Sequence, residues 1–257
     1  QFFQKREIDG KTVYGAAIYT ERGSEGITMG VMDVLYSFGF KYENPDKPYE
    51  LEGYVNSDNA VKGLEFYKEL YDCCTPPGHS DAYMSEDIDA YKSGQVALHM
   101  NFAFTWPGIH ADANVGGEKS GYFPNPAGPD GVAYAQLGGQ GISAVSSSEK
   151  QEDALAYIKW FAQPDIQQKW WEMGGYSALL KVVEDPKFAT SQPYAQTFLD
   201  SMAIVQDFWA EPAYASLLQA AQKRFHDYVV AGQGSSKDAL DGLVKDWTQV
   251  FDDEGKY

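Results

Sequence analysis

Apolar residues fall into two rhythms along this chain. Residues 12–20 (TVYGAAIYT) form a nearly continuous apolar run of strand length, the pattern of a buried strand. The run ends in a polar, glycine-bearing turn, Glu21-Arg22-Gly23-Ser24-Glu25-Gly26, and a helical stretch over 28–38 follows, stopping at Gly39. Residues 43–53 are polar with two prolines and predict a surface loop. Ser57 then caps a helix whose apolar side carries Val61, Leu64, Leu70 and Tyr71. Cys74-Thr-Pro-Pro-Gly ends it, because proline cannot continue a helix and glycine permits the turn.

The alternation continues. A helix over 84–93 leads into Val96-Ala97-Leu98-His99-Met100, a short buried strand. Residues 107–134 hold six glycines and four prolines and predict loop around a short strand near Tyr122-Phe123. Residues 137–145 (LGGQGISAV) are strand-like. Ser147-Ser148 cap a helix with Ala154, Leu155, Ile158 and Phe161 on one face, and Pro164 opens another carrying Trp170-Trp171. Leu218, Ala221, Phe225, Tyr228 and Val229 keep a helical period that Gly232 closes. After Ser235-Ser236, a last helix sets Leu240, Leu243, Val244, Trp247, Val250 and Phe251 on one stripe. Strands alternating with helices predict an α/β fold.

Composition narrows the function classes. The 257 residues carry 37 acidic against 20 basic side chains, a formal charge of −17. Such a charge repels phosphates, and no basic stripe offsets it, which argues against nucleic acid. Aromatics at 15% and hydrophobics at 44% exclude a disordered chain. No apolar run approaches the ~20 residues that span a bilayer. Cys73 and Cys74 are adjacent; neighbouring cysteines bridge only through a constrained local peptide, so two free or buried thiols are expected. The start, Gln1-Phe2-Phe3-Gln4-Lys5, reads as a cut inside a longer protein.

Catalytic and metal signatures are missing. His79, His99, His110 and His226 are scattered as expected surface or strand residues, without His-x-x-x-His or His-x-Glu pairing. There is no Gly-x-Ser-x-Gly, Walker loop or dinucleotide fingerprint. Gly138-Gly139-Gln140-Gly141 precedes a strand-like run and opens no helix, so a phosphate cradle is not expected. Glu86/Asp87 and Asp252/Asp253 could serve as glycosidase acid and base, but 37 carboxylates produce chance pairs, and a solvated face is the expectation. No cofactor or metal is expected.

Aromatic residues on loops are more informative. Phe102, Phe104 and Trp106 follow a strand and face one way if the chain stays extended. Trp209 lies beside Glu211, Pro212 and Tyr214 before a helix, and Tyr176 follows Gly174-Gly175. Sugar sites pair such stacking rings with polar and charged side chains; rings packed beneath loops give the same pattern.

At this point the order of segments resembles the extracellular solute-binding proteins of family one, which feed carbohydrate ABC importers. Four stretches carry the resemblance: YGAAIYTERGSEG…LYSFGF; NSDNAVKGLEFYKELYD…TPPG; SEDIDAYKSGQVALHMNFAFTW; and GGQGISAVSSSEKQEDALAYIKWFAQPDIQQKW. It implies a periplasmic-binding-protein-like two-lobe α/β fold of the class II type, present here mainly as the C-terminal lobe plus a helical segment of the N-terminal lobe. Residues 1–137 would form the first part of the C-terminal lobe and 200–257 its closing helices. Residues 138–199 would be crossover strand and helices belonging to the N-terminal lobe, and the strand near 139–145 would lack its sheet neighbours.

Site residues follow from the same resemblance. Phe104 falls where maltodextrin-type relatives place a stacking tryptophan, with Trp106 close behind. Glu21 and Arg22 lie in the loop that reaches sugar hydroxyls. Gly139 and Gln140 sit at the interlobe crossover, and Trp209, Glu211 and Tyr214 occupy the loop before the closing helix. The implied protein is a monomeric binding protein, not an enzyme, that captures a carbohydrate or polyol and delivers it to an ABC permease in the membrane. It would be periplasmic or lipid-anchored and extracellular. The alternatives are a binding protein of the same fold for a polyamine, peptide or organic acid, and a glycoside hydrolase.

Overall fold

The computed structural model describes residues 4–23, 25–207 and 209–256. Ser24 of the first turn and Gln1-Phe2-Phe3 of the N-terminal reading lie outside the described residues. The chain opens with strands β1 (Lys5–Ile8) and β2 (Lys11–Ala17), then helices α1 (Gly26–Ser37), α2 (Asp58–Cys74) and α3 (Met84–Lys92), strand β3 (Val96–His99) and the short α4 (Trp106–His110). Strand β4 (Ala135–Gln136) precedes α5 (Gln151–Phe161), α6 (Pro164–Glu172), α7 (Leu180–Val183) and α8 (Ala195–Met202). Strand β5 (Val205–Gln206) leads to the two long closing helices, α9 (Tyr214–Val229) and α10 (Ser236–Asp253).

Among the described residues β2 is the middle strand of a three-stranded sheet, antiparallel to β1 and parallel to β3. Parallel strands cannot be joined by a tight turn, and here α1, α2 and α3 make the crossover. β4 and β5 pair in parallel as a separate short ribbon.

The main core lies between α1, α2, α9 and α10. The apolar stripe expected for α10 is buried through Leu240, Leu243, Val244, Trp247 and Phe251. Its start carries a capping box, in which Ser235 Oγ accepts from the Asp238 amide and Asp238 accepts from the Ser235 amide. On α9 the fully buried leucine is Leu217 and not the expected Leu218. Ser57 Oγ accepts from the Ala60 amide at the start of α2, as expected. Tyr67, on the same helix, sends its phenol between neighbouring elements to donate to the Tyr19 carbonyl at 2.7 Å. That path needs Gly30, where any Cβ would sit 2.0 Å from the Tyr67 hydroxyl.

A second cluster gathers Trp171, Val182, Phe188, Tyr194 and Ala195. Trp171 stacks on Phe188 at 4.1 Å and donates its indole N–H to Ser191 Oγ.

Several expectations fail here. Residues 137–145 form no strand, and apart from β4 the path from 121 to 150 is irregular. Leu137 donates its amide to the Gln206 carbonyl, but beyond it no neighbouring strand among the described residues offers a ladder. Tyr122-Phe123 is likewise irregular. The helix expected from Ser147-Ser148 starts at Gln151, with Ser148 Oγ instead accepting from the Lys150 amide in a local turn. Cys73 and Cys74 are not free thiols but are bonded to each other. They occupy the last turn of α2, where carbonyls lack onward helical partners and the chain leaves the helix at Thr75.

Candidate functional site

Ligands of open α/β sheets bind at the carboxyl ends of parallel strands. The carboxyl ends of β2 and β3 deliver two loops to one edge of the sheet, residues 18–25 and 100–105. A third segment, 79–83, is stitched to the first. The Thr20 and Glu21 amides both donate to the Ala82 carbonyl, at 2.8 and 2.9 Å, and the Ala82 amide donates to Thr20 Oγ1 at 2.9 Å. The loop at Glu21 folds tightly onto α1, with the Ile27 amide donating to the Glu21 carbonyl at 2.9 Å. Gly26 allows this closure, since a Cβ there would lie 2.8 Å from that carbonyl oxygen.

The first and third of these segments, with the first turn of α3, line an open concavity of about 240 Å³ through Glu21, Asp81, Tyr83, Met84, Ser85 and Glu86. Partial desolvation, with Asp81 and Glu86 nearby, raises the Glu21 carboxyl above its ordinary value. Its Oε2 is buried without a hydrogen-bond partner among the described residues. Glu86 Oε2 accepts from the Tyr83 amide at the start of α3.

Aromatic rings run outward from this acidic end. Tyr83 meets Tyr19 edge-on at 4.9 Å, Tyr19 lies 6.2 Å from Phe102, and Phe102 stacks on Phe104 at 6.2 Å. Phe104 is 57% exposed. The ridge therefore ends in a bare ring, able to stack on an apolar ligand face while carboxylates hold hydrogen-bond donors at the other end.

The expected site residues separate into groups. Glu21 and Phe104 share this edge, and Arg22 is exposed on the same loop as Glu21. Tyr214 is the first residue of α9 and does not line the concavity; burial, with Tyr42 and Glu25 nearby, raises its hydroxyl. Gly138 lies against the Phe102 ring, 3.4 Å from a would-be Cβ, whereas Gly139 is open and Gln140 exposed.

Trp106 does not face the way Phe104 does. The chain does not stay extended but coils through a 3₁₀ turn at Ala103–Thr105 into α4. This turns Trp106 into the second cluster, against Tyr122 at 5.6 Å and Tyr194 at 6.0 Å. Trp209 packs into the main core, stacked on Tyr42 at 4.7 Å and 5.4 Å from both Trp247 and Phe251. The cavity it shares with Tyr214, Thr28 and Leu217 is only about 10 Å³, room for about one water. Glu211 Oε1 lies 3.5 Å from Lys256 Nζ, and Lys256 also sits 5.4 Å over the Tyr49 ring. Tyr176 donates its hydroxyl to the Ala103 carbonyl within the fold.

Sequence reasoning missed Tyr19, Asp81 and Tyr83, whose chain positions alone place no ligand. It also misjudged Asp87 and His79. Asp87 is fully buried, not part of a solvated face, and hydrogen-bonds to the equally buried His79 at 2.8 Å. Burial pushes the Asp87 carboxyl up to about 6 despite that bond. His99, by contrast, lies on strand β3 as expected, half-buried against Tyr91 at 4.5 Å, and burial lowers it to about 4. Among the described residues no group of three or more His, Cys, Asp or Glu is placed to hold a metal ion.

Comparisons with known proteins agree with this architecture. The model of the family described as bacterial extracellular solute-binding protein matches residues 3–197. The structure is similar to maltose-bound MalE3 of T. maritima, with a TM-score of 0.81 and 24% identity over 93% of this chain. It is also similar to a Thermotoga lettingae solute-binding protein with alpha-D-tagatose (TM-score 0.78, 20% identity, 93% of this chain). An Agrobacterium radiobacter solute-binding protein in complex with ribitol follows at 0.76 and 19%, again over 93%. A curated relative, a probable amino-acid ABC transporter periplasmic-binding protein of Sinorhizobium fredii, is 25% identical over 142 residues, 53% of this chain. The chain spans 59–61% of the length of the three solved structures, and the match to the curated relative covers 31% of that protein.

Proposed function

From the premise that this chain belongs to the bacterial extracellular solute-binding protein family, we propose that it captures a sugar or polyol outside the cytoplasm for an ABC importer. The observation that carries this reading is the joined site at the β2 and β3 ends. Carboxylates of Glu21, Asp81 and Glu86 line a concavity, and the aromatic ridge from Tyr83 to Phe104 leads away from it. Hydroxyl donors suit the acidic end and a pyranose or alditol C–H face suits the exposed ring. The similar solved structures hold maltose, alpha-D-tagatose and ribitol.

The amino-acid name of the Sinorhizobium relative is the competing possibility. The α-ammonium of an amino acid would suit Glu21, Asp81 and Glu86, but its α-carboxylate needs a cationic partner, and the residues lining this concavity include none. The acidic lining therefore favours neutral hydroxyls or an ammonium over a carboxylate.

Within the site, Glu21 accepts from ligand hydroxyls, Arg22 reaches over the rim, Phe104 stacks and Tyr214 closes the far side. The Gly138–Gln140 segment passes beside Phe102 as part of the crossover. Trp106, Trp209 and Glu211 support this surface from within the fold, and none of them touches the ligand. The protein binds and does not turn over its ligand. It works by hinge closure, with residues 1–137 and 200–257 mainly in one lobe and, within 138–199, helix α5 turned to the other, while the second cluster ties Trp171 and Tyr194 to Trp106 and Tyr122. A sugar closes such lobes only by its higher affinity for the closed form, and a membrane permease reads that closure. The protein acts as a monomer, periplasmic or lipid-anchored.

Titrating the full-length protein with maltose, alpha-D-tagatose and ribitol tests the reading. Saturable binding of at least one, weakened in Phe104→Ala and in Glu21→Gln, is expected. Binding of amino acids with none of the three sugars or polyols would overturn it.

A further inference from the structure

Beneath the ligand edge lies a buried polar chain that the binding reading does not use. His79 follows the Pro76-Pro77-Gly78 turn, and its ring is 6% exposed. His79 Nε2 lies 2.8 Å from Asp87 Oδ1 on α3, whose side chain is fully buried. The His79 carbonyl accepts from Thr20 Oγ1 at 2.6 Å. Thr20 Oγ1 in turn accepts the Ala82 amide, and the Ala82 carbonyl takes the Thr20 and Glu21 amides. Asp87 is one residue beyond Glu86 and four beyond Tyr83, and both of those line the concavity.

Two groups of this polarity are costly to bury without purpose. The same helix turn could anchor on an apolar side chain at lower desolvation cost. What the His–Asp bond adds is direction, because a hydrogen bond fixes angle as well as distance. Through the Thr20 hydroxyl, that direction reaches the backbone of Glu21.

We infer that His79 and Asp87 are a positioning pair, which sets the Glu21 backbone against the Tyr83 ring and so governs ligand affinity without touching the ligand. This rests on the sugar-capture reading for its effect on affinity, while the backbone effect stands without it. Replacing the ring by an apolar group leaves Asp87 unpaired and releases the 79–83 segment from the β2 end. Glutamine, which can still donate to Asp87, retains the constraint.

The test measures amide hydrogen exchange and ligand titration together, on the full-length protein and its His79→Leu and His79→Gln variants. In His79→Leu, the amides of Thr20, Glu21 and Ala82 are expected to exchange about tenfold faster or more, while those of α9 and α10 keep wild-type protection. In His79→Gln the three amides return to near wild-type rates. Titration with maltose, alpha-D-tagatose and ribitol is expected to show the affinity of His79→Leu about tenfold weaker and that of His79→Gln largely restored. The core variant Leu240→Ala, which lowers stability elsewhere, keeps wild-type affinity. Should His79→Leu fail to fold, Thr20→Val removes the hydroxyl link, with acceleration expected at the Glu21 and Ala82 amides.

Unchanged exchange at those amides overturns the inference, as does a uniform acceleration through α9 and α10. Faster local exchange with unaltered affinity overturns its functional half. If the wild type binds none of the three probes, the sugar-capture reading fails instead, and the exchange pattern still decides the pair.

Discussion

At the scale of single residues, Phe104 and Trp106 differ by two positions and by environment. Phe104 is exposed at the end of a ring series, so Phe104→Ala is expected to weaken sugar binding by ~1–3 kcal/mol and leave the melting temperature nearly unchanged. Trp106 packs on Tyr122 and Tyr194, so Trp106→Ala is expected to lower stability by about 2 kcal/mol or more while affinity per folded molecule holds. Calorimetric unfolding beside ligand titration separates the two. Glu21→Gln keeps the shape but replaces a carboxylate acceptor by a neutral amide. It is expected to cost ~1.5–3 kcal/mol of binding, the value of a hydrogen bond to a charged group, with little effect on folding. A large fall in melting temperature for Glu21→Gln would make that residue structural.

At the scale of elements, Asp33 joins helix α1 to the short ribbon. Its Oδ1 accepts the Gln136 amide at 3.1 Å, and burial raises its carboxyl from 3.8 to about 7 even though this bond and one from Asn125 favour the charged form. A folded-state value above the unfolded one means that the native state binds more protons between the two. The stability from protonated Asp33 is therefore fully present below 3.8 and lost as pH rises toward and through about 7. Asp33→Asn, neutral throughout, is expected to gain stability relative to wild type across that window. Melting temperatures of the pair at successive pH values check it, and parallel curves would contradict it. The vicinal bridge at the end of α2 makes a second prediction at this scale: Cys73 and Cys74 resist alkylation in the folded, oxidised protein and both react after reduction.

Elements that bury a periodic face were legible in the sequence, because periodicity is itself the record of burial. The stripe of α10, the cap at Ser57 and the strand–helix alternation all emerged that way. The run 137–145 misled, because its apolar content mimics a strand while a strand also needs a neighbour's ladder. Phe102, Phe104 and Trp106 were correctly placed after β3, but their shared direction depended on an extended backbone that the 3₁₀ turn abolishes. Tyr83 and Asp81 could not be found at all, since their place at the site comes from a long-range stitch of Ala82 onto the β2 end. The His79–Asp87 pair spans only eight positions, yet nothing in its spacing distinguishes it from chance among 37 carboxylates.

At the scale of the whole molecule, two regions contrast. The helices around the main core bury nearly all of their apolar stripes. Helix α5 has no fully buried residue, and Leu155, Tyr157 and Trp160 remain exposed along it, with Trp170 exposed on α6. Of these, Tyr157 and Trp160 join Phe161 and Trp170 in one patch of touching rings, and an exposed apolar patch of this kind marks a contact surface. In the proposed two-lobe protein this face lies against the other lobe. Hydroxyl-radical footprinting of the full-length protein is expected to show Tyr157 and Trp160 protected relative to Phe104, and full labelling of all three would contradict that placement. On the proposed reading, lobe closure would bring the second wall of the site over Glu21 and the aromatic ridge.

The most direct test of sugar capture is a thermal-shift titration of the full-length protein with maltose, alpha-D-tagatose, ribitol and an amino-acid panel. A ligand at 100 times its dissociation constant stabilises the native state by ~2.7 kcal/mol, a shift easily measured. Such a shift is expected with at least one sugar or polyol, abolished by Glu21→Gln and Phe104→Ala together. A folded protein that shifts only with amino acids, or whose sugar-induced shift survives both substitutions, would contradict it.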